Sequence, residues 1–201
     1  MNFESRGQLD AFTSATLAGY PVLNIGSGPH SPRIPNWRSV DIVEPCDMEF
    51  DAFLFPWPDE IAPASVGGIV MHSIAEHTAD PEGLIAEAWR VLAPGAPLWI
   101  RVPSYRAPYA YFVGHRSRFS TLWLRCLDEF ATWWAWPAPM PSRPFNRVAL
   151  RLTFPEKGRS RFLEPLANVR QELWEWLGLP LMDMDWIGTK TLPNERERGR
   201  A

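Results

Sequence analysis

The stretch VLNIGSGPHSPRIPNWRSVDI, residues 22–42, decides the fold class of this chain. It contains an apolar run, a turn with Gly26 and Gly28, and a second apolar run that leads to the acid Asp41. In open α/β sheets, ligands bind beyond the carboxyl ends of the strands, where glycines permit a tight turn and a close approach to the backbone. An acid at the end of the second strand can accept hydrogen bonds from both hydroxyl groups of a ribose. The stretch therefore predicts the adenosine half of a cofactor site, with a tight strand exit that binds nothing as the alternative.

The same stretch lacks the features that phosphate-bearing cofactors require. A dinucleotide site needs G-x-G-x-x-G, with the pyrophosphate at a helix N-terminus. Here Ser31 stands at the third glycine position, and three prolines interrupt the region where that helix would begin: Pro29, Pro32 and Pro35. Asp41 follows Gly28 by 13 residues, fewer than the roughly 20 of the dinucleotide fingerprint. A Walker A loop is absent from the sequence as well. S-adenosyl-L-methionine, which carries adenine and ribose without phosphate, is the predicted cofactor.

Composition narrows the class of protein further. The 201 residues fit one domain, and a hydrophobic content of 46% is enough for a sizeable core. The net charge of −3 does not favour bulk binding of nucleic acid. Cys46 and Cys126 are not in a CxxC pattern, so we expect no zinc site, no disulfide framework and a reducing compartment. Without a membrane-length apolar run or a signal-peptide pattern, the sequence predicts a cytoplasmic protein with no membrane partner.

Periodicity predicts alternating strands and connectors, and hence a largely parallel sheet. Asp80 and Pro81 form a helix start, and this helix ends at Ala93-Pro94-Gly95. Two late segments alternate like antiparallel strands. The predicted strands are 20–25, 39–43, 46–50, 68–72, 98–102, 148–154 and 182–191, and further helices are predicted at 7–19 and 163–177. The latter helix carries an apolar stripe of Leu166, Val169, Leu173, Trp176 and Leu177.

Six short motifs occur in a family's order along the chain. They are Leu23–Pro29, Val40–Ile42, Asp47–Asp51 followed by Phe55–Asp59, His72–His77, Glu87–Ser104 and Gly114–Ser120. With them the sequence resembles class I S-adenosylmethionine-dependent methyltransferases, and among these the short methyltransferase type 11-like branch. The resemblance implies a Rossmann-like α/β methyltransferase fold, with helices on both faces of a mixed seven-stranded sheet of order 3-2-1-4-5-7-6. It also implies a single domain over 1–201, in which the aromatic and proline-rich residues 103–145 cap the cleft.

The resemblance assigns roles to individual positions. Asp41 would hold the ribose, and Asp51 would accept a hydrogen bond from the adenine amine. Asn24, which stands where many relatives have Asp, would face the methionine tail together with the glycine turn. The implied cofactor-binding set is Asn24, Gly26, Ser27, Gly28, Asp41, Asp51, Met71, His72 and Ser73.

The acceptor side is less specified by the sequence. His72 and His115 are the preferred pair for proton transfer, since histidine titrates near neutral pH. Glu76-His77 is predicted to orient the loop before the Asp80 helix, and no metal site is predicted. His72-Ser73-Ile74-Ala75 replaces the Asp/Asn-Pro-Pro-Tyr/Phe motif of DNA amino-methyltransferases, which argues against that substrate. Trp123, Trp133, Trp134 and Trp136 could stack a sugar or an aromatic acceptor.

These observations predict methyl transfer to a small molecule or a glycan, with oxygen favoured over nitrogen as the acceptor atom. Two alternatives stay open at this point. One is a methyltransferase fold that acts as a binding or scaffold protein without catalysis. The other is an RNA methyltransferase that uses a basic face of Arg143, Arg147, Arg151, Lys157, Arg159 and Arg161.

Overall fold

The protein is built around a single mixed β-sheet of seven strands. The computed structural model describes residues 6–29, 34–127, 145–154, 163–177 and 183–191. The strands are β1 (Val22–Ile25), β2 (Trp37–Asp41), β3 (Met48–Glu49), β4 (Gly68–His72), β5 (Pro97–Pro103), β6 (Phe145–Thr153) and β7 (Asp183–Lys190). Their spatial order is β3-β2-β1-β4-β5-β7-β6, which confirms the order implied by the sequence motifs. Strands β1 to β5 are parallel, and β7 runs antiparallel to both β5 and β6.

The central strands are the apolar runs of the sequence. All four residues of β1 and all seven of β5 are buried, as is typical of strands covered on both faces. Helix α1 (Arg6–Ala15) covers one face, where Phe12 packs with Val22 and Trp99. Helix α2 (Pro81–Val91) contributes Leu84 and Ile85 to the larger core, which is built from side chains of the alternate strand positions. The carboxyl ends of these strands therefore border a core that covers both faces of the sheet.

Helix α2 begins as the sequence predicts. The carboxylate of Asp80 accepts a hydrogen bond of 2.8 Å from the backbone nitrogen of Gly83, and Pro81 occupies the first helical position. The three-residue 3₁₀ helix Ala75–His77 precedes it, and a second 3₁₀ helix spans Pro108–Tyr111. A short helix, α3, spans Thr121–Arg125. Of the cap predicted over 103–145, residues 128–144 lie outside the described part of the chain, and with them Trp133, Trp134 and Trp136.

The single helix predicted over 163–177 is wrong. Two helices occur instead, α4 (Glu164–Val169) and α5 (Gln171–Trp176), separated by Arg170. Asn168 exchanges side-chain hydrogen bonds with the backbone nitrogen and oxygen of Leu152, and Gln171 donates to the backbone oxygen of Leu150. These polar bonds to edge strand β6 orient the helices, so that Ala167 and Trp174 are buried. The apolar stripe is exposed in consequence: Leu166, Val169, Leu173, Trp176 and Leu177.

Strand β2 also differs from its predicted bounds. It starts at Trp37 and ends at Asp41, so Ile42 and Val43 follow the strand rather than belong to it. In the connection from β1 to β2, the described residues 26–29 and 34–36 contain no helix, in agreement with the prolines there. Among the described residues, no helix has the length and apolar character that crossing a membrane requires.

Candidate functional site

The turn after β1 has the backbone conformation that its glycines permit. Gly26 has φ 67° and Gly28 has φ 66°, both in the left-handed region that disfavours side chains. The backbone nitrogens of Gly26 and Ser27 donate to the oxygen of Val40 at 2.9 and 3.1 Å, which ties the turn to β2. A Cβ atom on Gly26 would lie 2.7 Å from the side chain of Ile74, whereas one on Gly28 would meet no atom of the described residues within 4 Å. Gly26 therefore serves close packing, and the described part of the chain leaves space open at Gly28.

Asp41 is held firmly at the end of β2. Its Oδ2 accepts a hydrogen bond of 2.7 Å from the backbone nitrogen of Gly28, and Oδ1 accepts from the nitrogens of Ile42 and Val43 at 2.8 and 3.2 Å. Each carboxylate oxygen has two lone pairs, so Oδ2 keeps the capacity to accept a further hydroxyl. Ile42 and Val43 are 64% and 54% exposed and form an apolar surface next to this acid. The arrangement offers a fixed acceptor beside an apolar platform.

Three other predicted residues, Asn24, Ser27 and Asp51, have different surroundings. Asn24 and Ser27 are buried, and Oγ of Ser27 has no hydrogen-bond partner among the described residues. Asn24 and Gly28 both line a cavity of about 400 Å³, whose wall continues to Cys46. Asp51 accepts a hydrogen bond of 2.9 Å from the backbone nitrogen of Phe53 and so shapes the loop after β3. Asn24 and Ser27 therefore lie at the turn itself.

The end of β4 is packed against the glycine turn. Ser73 has φ 51°, an uncommon value for a residue with a side chain, and its nitrogen donates to the oxygen of Arg101 at 2.9 Å. The next residue, Ile74, fills the space that a side chain on Gly26 would need. Met71 is fully buried in the core beneath. The predicted residues of the first and fourth strands therefore meet at one edge of the sheet.

His72 is half-buried in an environment that disfavours its charged form. Its ring lies edge-on to Trp99, with 4.3 Å between the ring centroids. Burial, and secondarily the positive charge of Arg101, lower the pKa of His72 to about 3. The imidazole is therefore neutral at physiological pH and a weak base there.

His115 occupies different surroundings from His72. Its ring is perpendicular to that of His77 at a centroid distance of 4.8 Å, and it also contacts Phe112. Burial and the neighbouring His77 lower the pKa of His115 below its ordinary value. His72 and His115, which the sequence interpretation paired, thus contact different residues. The histidine that His115 contacts is His77.

The overall fold is similar to that of several solved structures. A SAM-dependent methyltransferase from Archaeoglobus fulgidus is 13% identical, with a TM-score of 0.54 over 92% of each chain. The [4+2]-cyclase SpnF is 12% identical, with a TM-score of 0.55 over 92% of this chain and 80% of that one. Phosphoethanolamine N-methyltransferase 2 from Haemonchus contortus, solved with S-adenosyl-L-methionine, is 10% identical, with a TM-score of 0.52 over 94% of this chain and 53% of that one. No family model matches the sequence, and no curated protein is significantly similar to it.

The chain has the class I methyltransferase fold. In this methyltransferase fold the glycine turn, Asp41 and the end of β4 share the carboxyl edge of the parallel strands. Ligands bind at this edge in open α/β sheets. The glycine turn, Asp41 and the end of β4, which the sequence interpretation assigned to the cofactor, therefore lie at one edge of the sheet.

The methyltransferase fold also gathers a partly buried polar cluster that the sequence interpretation missed. Glu76 is only 1% exposed, and burial, together with the negative charge of Asp183, raises its pKa to about 7. The hydroxyl of Tyr109 donates to Oδ1 of Asp183 at 2.6 Å, and burial raises the pKa of Tyr109 above its usual range. Tyr109 and Asp183 are 74 residues apart, so no local pattern relates them. For Glu76, the sequence signal is an acid that directly follows the apolar pair Ile74-Ala75.

The basic face proposed for RNA is represented only in part. Arg143, Lys157, Arg159 and Arg161 lie outside the described residues. Arg151 forms an ion pair with Glu164. Arg118 lies over the ring of Tyr111, with 4.7 Å from its guanidinium carbon to the ring centroid.

Proposed function

We propose that this protein binds S-adenosyl-L-methionine and transfers its methyl group to an oxygen of a small molecule or a glycan, with nitrogen as the less favoured acceptor. The observation that carries the proposal is the turn at Gly26 and Gly28. It is fixed to Asp41 by a hydrogen bond of 2.7 Å, and it leaves open space at Gly28. The short type 11-like branch remains a prediction from the motifs.

The residues at this edge suit the parts of the cofactor. Asp41 would accept a ribose hydroxyl through the free capacity of Oδ2, and the exposed Ile42 beside it would pack on the adenine. Ser27 would direct its unpartnered Oγ, and Asn24 its amide, toward the methionine tail. Asp51 would bind the adenine amine, and Met71, His72 and Ser73 would line the side of the sulfur. The cofactor supplies a methyl group that its sulfonium has already activated.

The protein's own contribution is to position the acceptor and to take up its proton. His72, with a pKa of about 3, would shape the site rather than accept a proton at neutral pH. His115 is only partly buried and neutral near pH 7, which favours it over His72 as the proton acceptor. An oxygen acceptor fits this assignment because a hydroxyl must lose a proton on methylation.

A different reaction on the same fold is the second candidate function. The likeness to a [4+2]-cyclase shows that methyl transfer is not the only activity found on this architecture. The 1% exposed Glu76 and the Tyr109–Asp183 bond give the described chain buried polar groups that such a reaction could use. Release of S-adenosylhomocysteine during turnover separates the two, since only methyl transfer forms it.

Calorimetry with S-adenosylmethionine and S-adenosylhomocysteine tests the cofactor assignment. Asp41→Ala should weaken binding by about 1–3 kcal/mol, because the turn loses its anchor and the ribose its acceptor. The matched control is Asp10→Ala, which removes an exposed acid of α1 and should bind as wild type does. Absence of binding to either compound at millimolar concentration would refute the proposal. Unchanged affinity in Asp41→Ala would refute the ribose assignment alone.

A further inference from the structure

Three side chains of metal-ligating type converge between the 3₁₀ helix after β4 and the loop that carries His115. One ligand atom each from Glu76, His77 and His115 lies within 4.8 Å of the other two. We propose that these residues form a binding site for a divalent transition-metal ion of the Zn²⁺ or Fe²⁺ class.

The site is built from two segments that are fixed to each other. Glu76 and His77 belong to the 3₁₀ helix that follows β4. The backbone nitrogens of Arg116 and Ser117 donate to the oxygen of Glu76 at 2.7 and 3.1 Å, so His115 is brought to this helix by the main chain. The hydroxyl of Ser117 adds a bond of 2.7 Å to the oxygen of Thr78. Main-chain hydrogen bonds therefore hold the segment of His115 next to the segment of Glu76 and His77.

The lone pairs of the three side chains are available for an ion. Oε2 of Glu76 and Nδ1 of His115 are buried and have no hydrogen-bond partner among the described residues, a state that is rare for buried polar atoms. Nδ1 of His77 lies 3.2 Å from the oxygen of Gly114. A carbonyl only accepts, so Nδ1 of His77 carries the proton and Nε2 presents its lone pair, as in metal-binding histidines oriented by a backbone carbonyl.

Geometry and donor chemistry select the class of ion. Three ligands bonded to one ion at about 2.1 Å are about 3.4–3.6 Å apart in tetrahedral or trigonal geometry. Side-chain movements of about 1 Å or less therefore bring atoms that lie within 4.8 Å of one another into range. Two imidazoles and one carboxylate suit Zn²⁺, Fe²⁺ and Co²⁺, whereas Mg²⁺ and Ca²⁺ prefer oxygen ligands. Three protein ligands leave at least one coordination position for water or an acceptor.

The position of the site suggests its use. Ile74, which packs on Gly26, precedes Glu76 by two residues, so the ion would lie near the same edge of the sheet as the turn. A hydroxyl bound to the ion becomes more acidic, and the ion would then replace His115 as the group that promotes deprotonation. This use, unlike the site itself, rests on the proposed function.

Metal titration of the full chain tests the site. After treatment with EDTA, the protein is titrated with Co²⁺ while its visible absorption is recorded, and with Zn²⁺ in a calorimeter. We expect one equivalent to bind. His77→Ala and His115→Ala should each weaken Zn²⁺ binding by at least the roughly 10–100-fold that loss of an outer-shell partner costs. Glu82→Gln, a control at an exposed acid of α2, should retain the wild-type affinity.

Folding of the variants is monitored separately. Each is compared by circular dichroism and thermal unfolding in EDTA, and Zn²⁺ should raise the melting temperature of wild type and Glu82→Gln but not that of His77→Ala or His115→Ala. Absence of Zn²⁺ and Co²⁺ binding to wild type, or wild-type affinity in both alanine variants, would overturn the proposal. Binding of S-adenosylhomocysteine in EDTA is measured in parallel. Metal binding without cofactor binding would refute the proposed function and leave the metal site standing, and the reverse result would refute only the metal site.

Discussion

At the scale of single residues, two glycines with the same backbone conformation have different surroundings. Gly26 and Gly28 differ by 1° in φ, yet a side chain on Gly26 would clash with Ile74 while one on Gly28 would enter open space. Left-handed φ explains why both positions favour glycine. The difference in surroundings indicates that Gly26 is needed for close packing, whereas Gly28 is the candidate for contact with a ligand.

Gly28→Ala and Gly26→Ala form a matched pair. Gly28→Ala should cost about 1–2 kcal/mol of stability, the strain of a left-handed alanine. Gly26→Ala should cost about 1–3 kcal/mol more, because its methyl group overlaps Ile74. Urea denaturation measures both, and calorimetry should show that the added methyl of Gly28→Ala also weakens binding of S-adenosylhomocysteine. Wild-type affinity of Gly28→Ala for S-adenosylhomocysteine would show that the cofactor does not occupy the space next to Gly28.

The pKa of Glu76 predicts a pH-dependent stability. Burial raises this pKa to about 7 from 4.5, so between these values the folded protein holds a proton that the unfolded chain has lost. Wild type therefore loses stability from this residue as the pH rises through this window. Glu76→Gln should gain about 3 kcal/mol relative to wild type from about pH 4 to about pH 8.

The measurement is urea denaturation of both proteins in EDTA across this pH range. His72, whose pKa is lowered to about 3, has the opposite effect and lends stability that is lost as the pH falls below 6.5. It is present in both proteins, so its contribution cancels in the difference. Glu82→Gln, at an exposed position of α2, is the control. A constant difference between Glu76→Gln and wild type at all pH values would contradict the raised pKa.

At the scale of elements, α2 receives a cap at each end from a different source. Its start is local, through Asp80 and Pro81. Its end is held by Lys190 of β7, whose Nζ donates to the oxygens of Trp89 and Leu92 at 2.8 and 2.6 Å. The ammonium group also offsets the negative end of the helix dipole.

Lys190→Met should therefore destabilise the protein by about 1.5–3 kcal/mol, because hydrogen bonds from a charged group to two carbonyls are lost. The control is Arg38→Met, at an exposed position of β2, which should change stability by less than about 0.5 kcal/mol. Thermal and urea denaturation measure both. Equal stability of the two variants would show that α2 does not need its distant cap.

At the scale of the whole molecule, a buried ion pair joins the parallel and antiparallel parts of the sheet. Asp185 of β7 accepts hydrogen bonds from Arg101 of β5 at 2.8 and 3.0 Å and from the indole nitrogen of Trp99 at 2.9 Å. Arg101 also contributes to the low pKa of His72. The pair therefore links the antiparallel end of the sheet to the candidate site.

Asp185→Ala should destabilise the fold by about 3–5 kcal/mol, since Arg101 would remain buried without its partner. Replacing both residues, as in Arg101→Met with Asp185→Leu, should cost less than the sum of the single replacements. A double-mutant cycle from urea denaturation gives the coupling energy. Additive effects would mean that the two charges do not stabilise each other.

Local chemistry in the sequence determined much of this fold and about half of the candidate site. The apolar runs of β1, β4 and β5, the cap of α2, the glycine turn and Asp41 are all set by neighbours close in sequence, through periodicity, turn preference and capping. The sheet order followed from six motifs in a known succession, and the structure confirms it.

The polar residues of the candidate site are brought together only by the tertiary structure. Glu76 and His77 meet His115 through a loop anchored 37 residues along the chain, and Tyr109 meets Asp183 across 74 residues. The exposed stripe of α4 and α5 has the same origin, since bonds to edge strand β6 outweigh the apolar periodicity there. Burial, partners and pKa values at these positions depend on which distant segments pack together. Residue type and local spacing do not specify which distant segments pack together, so they could not predict these properties.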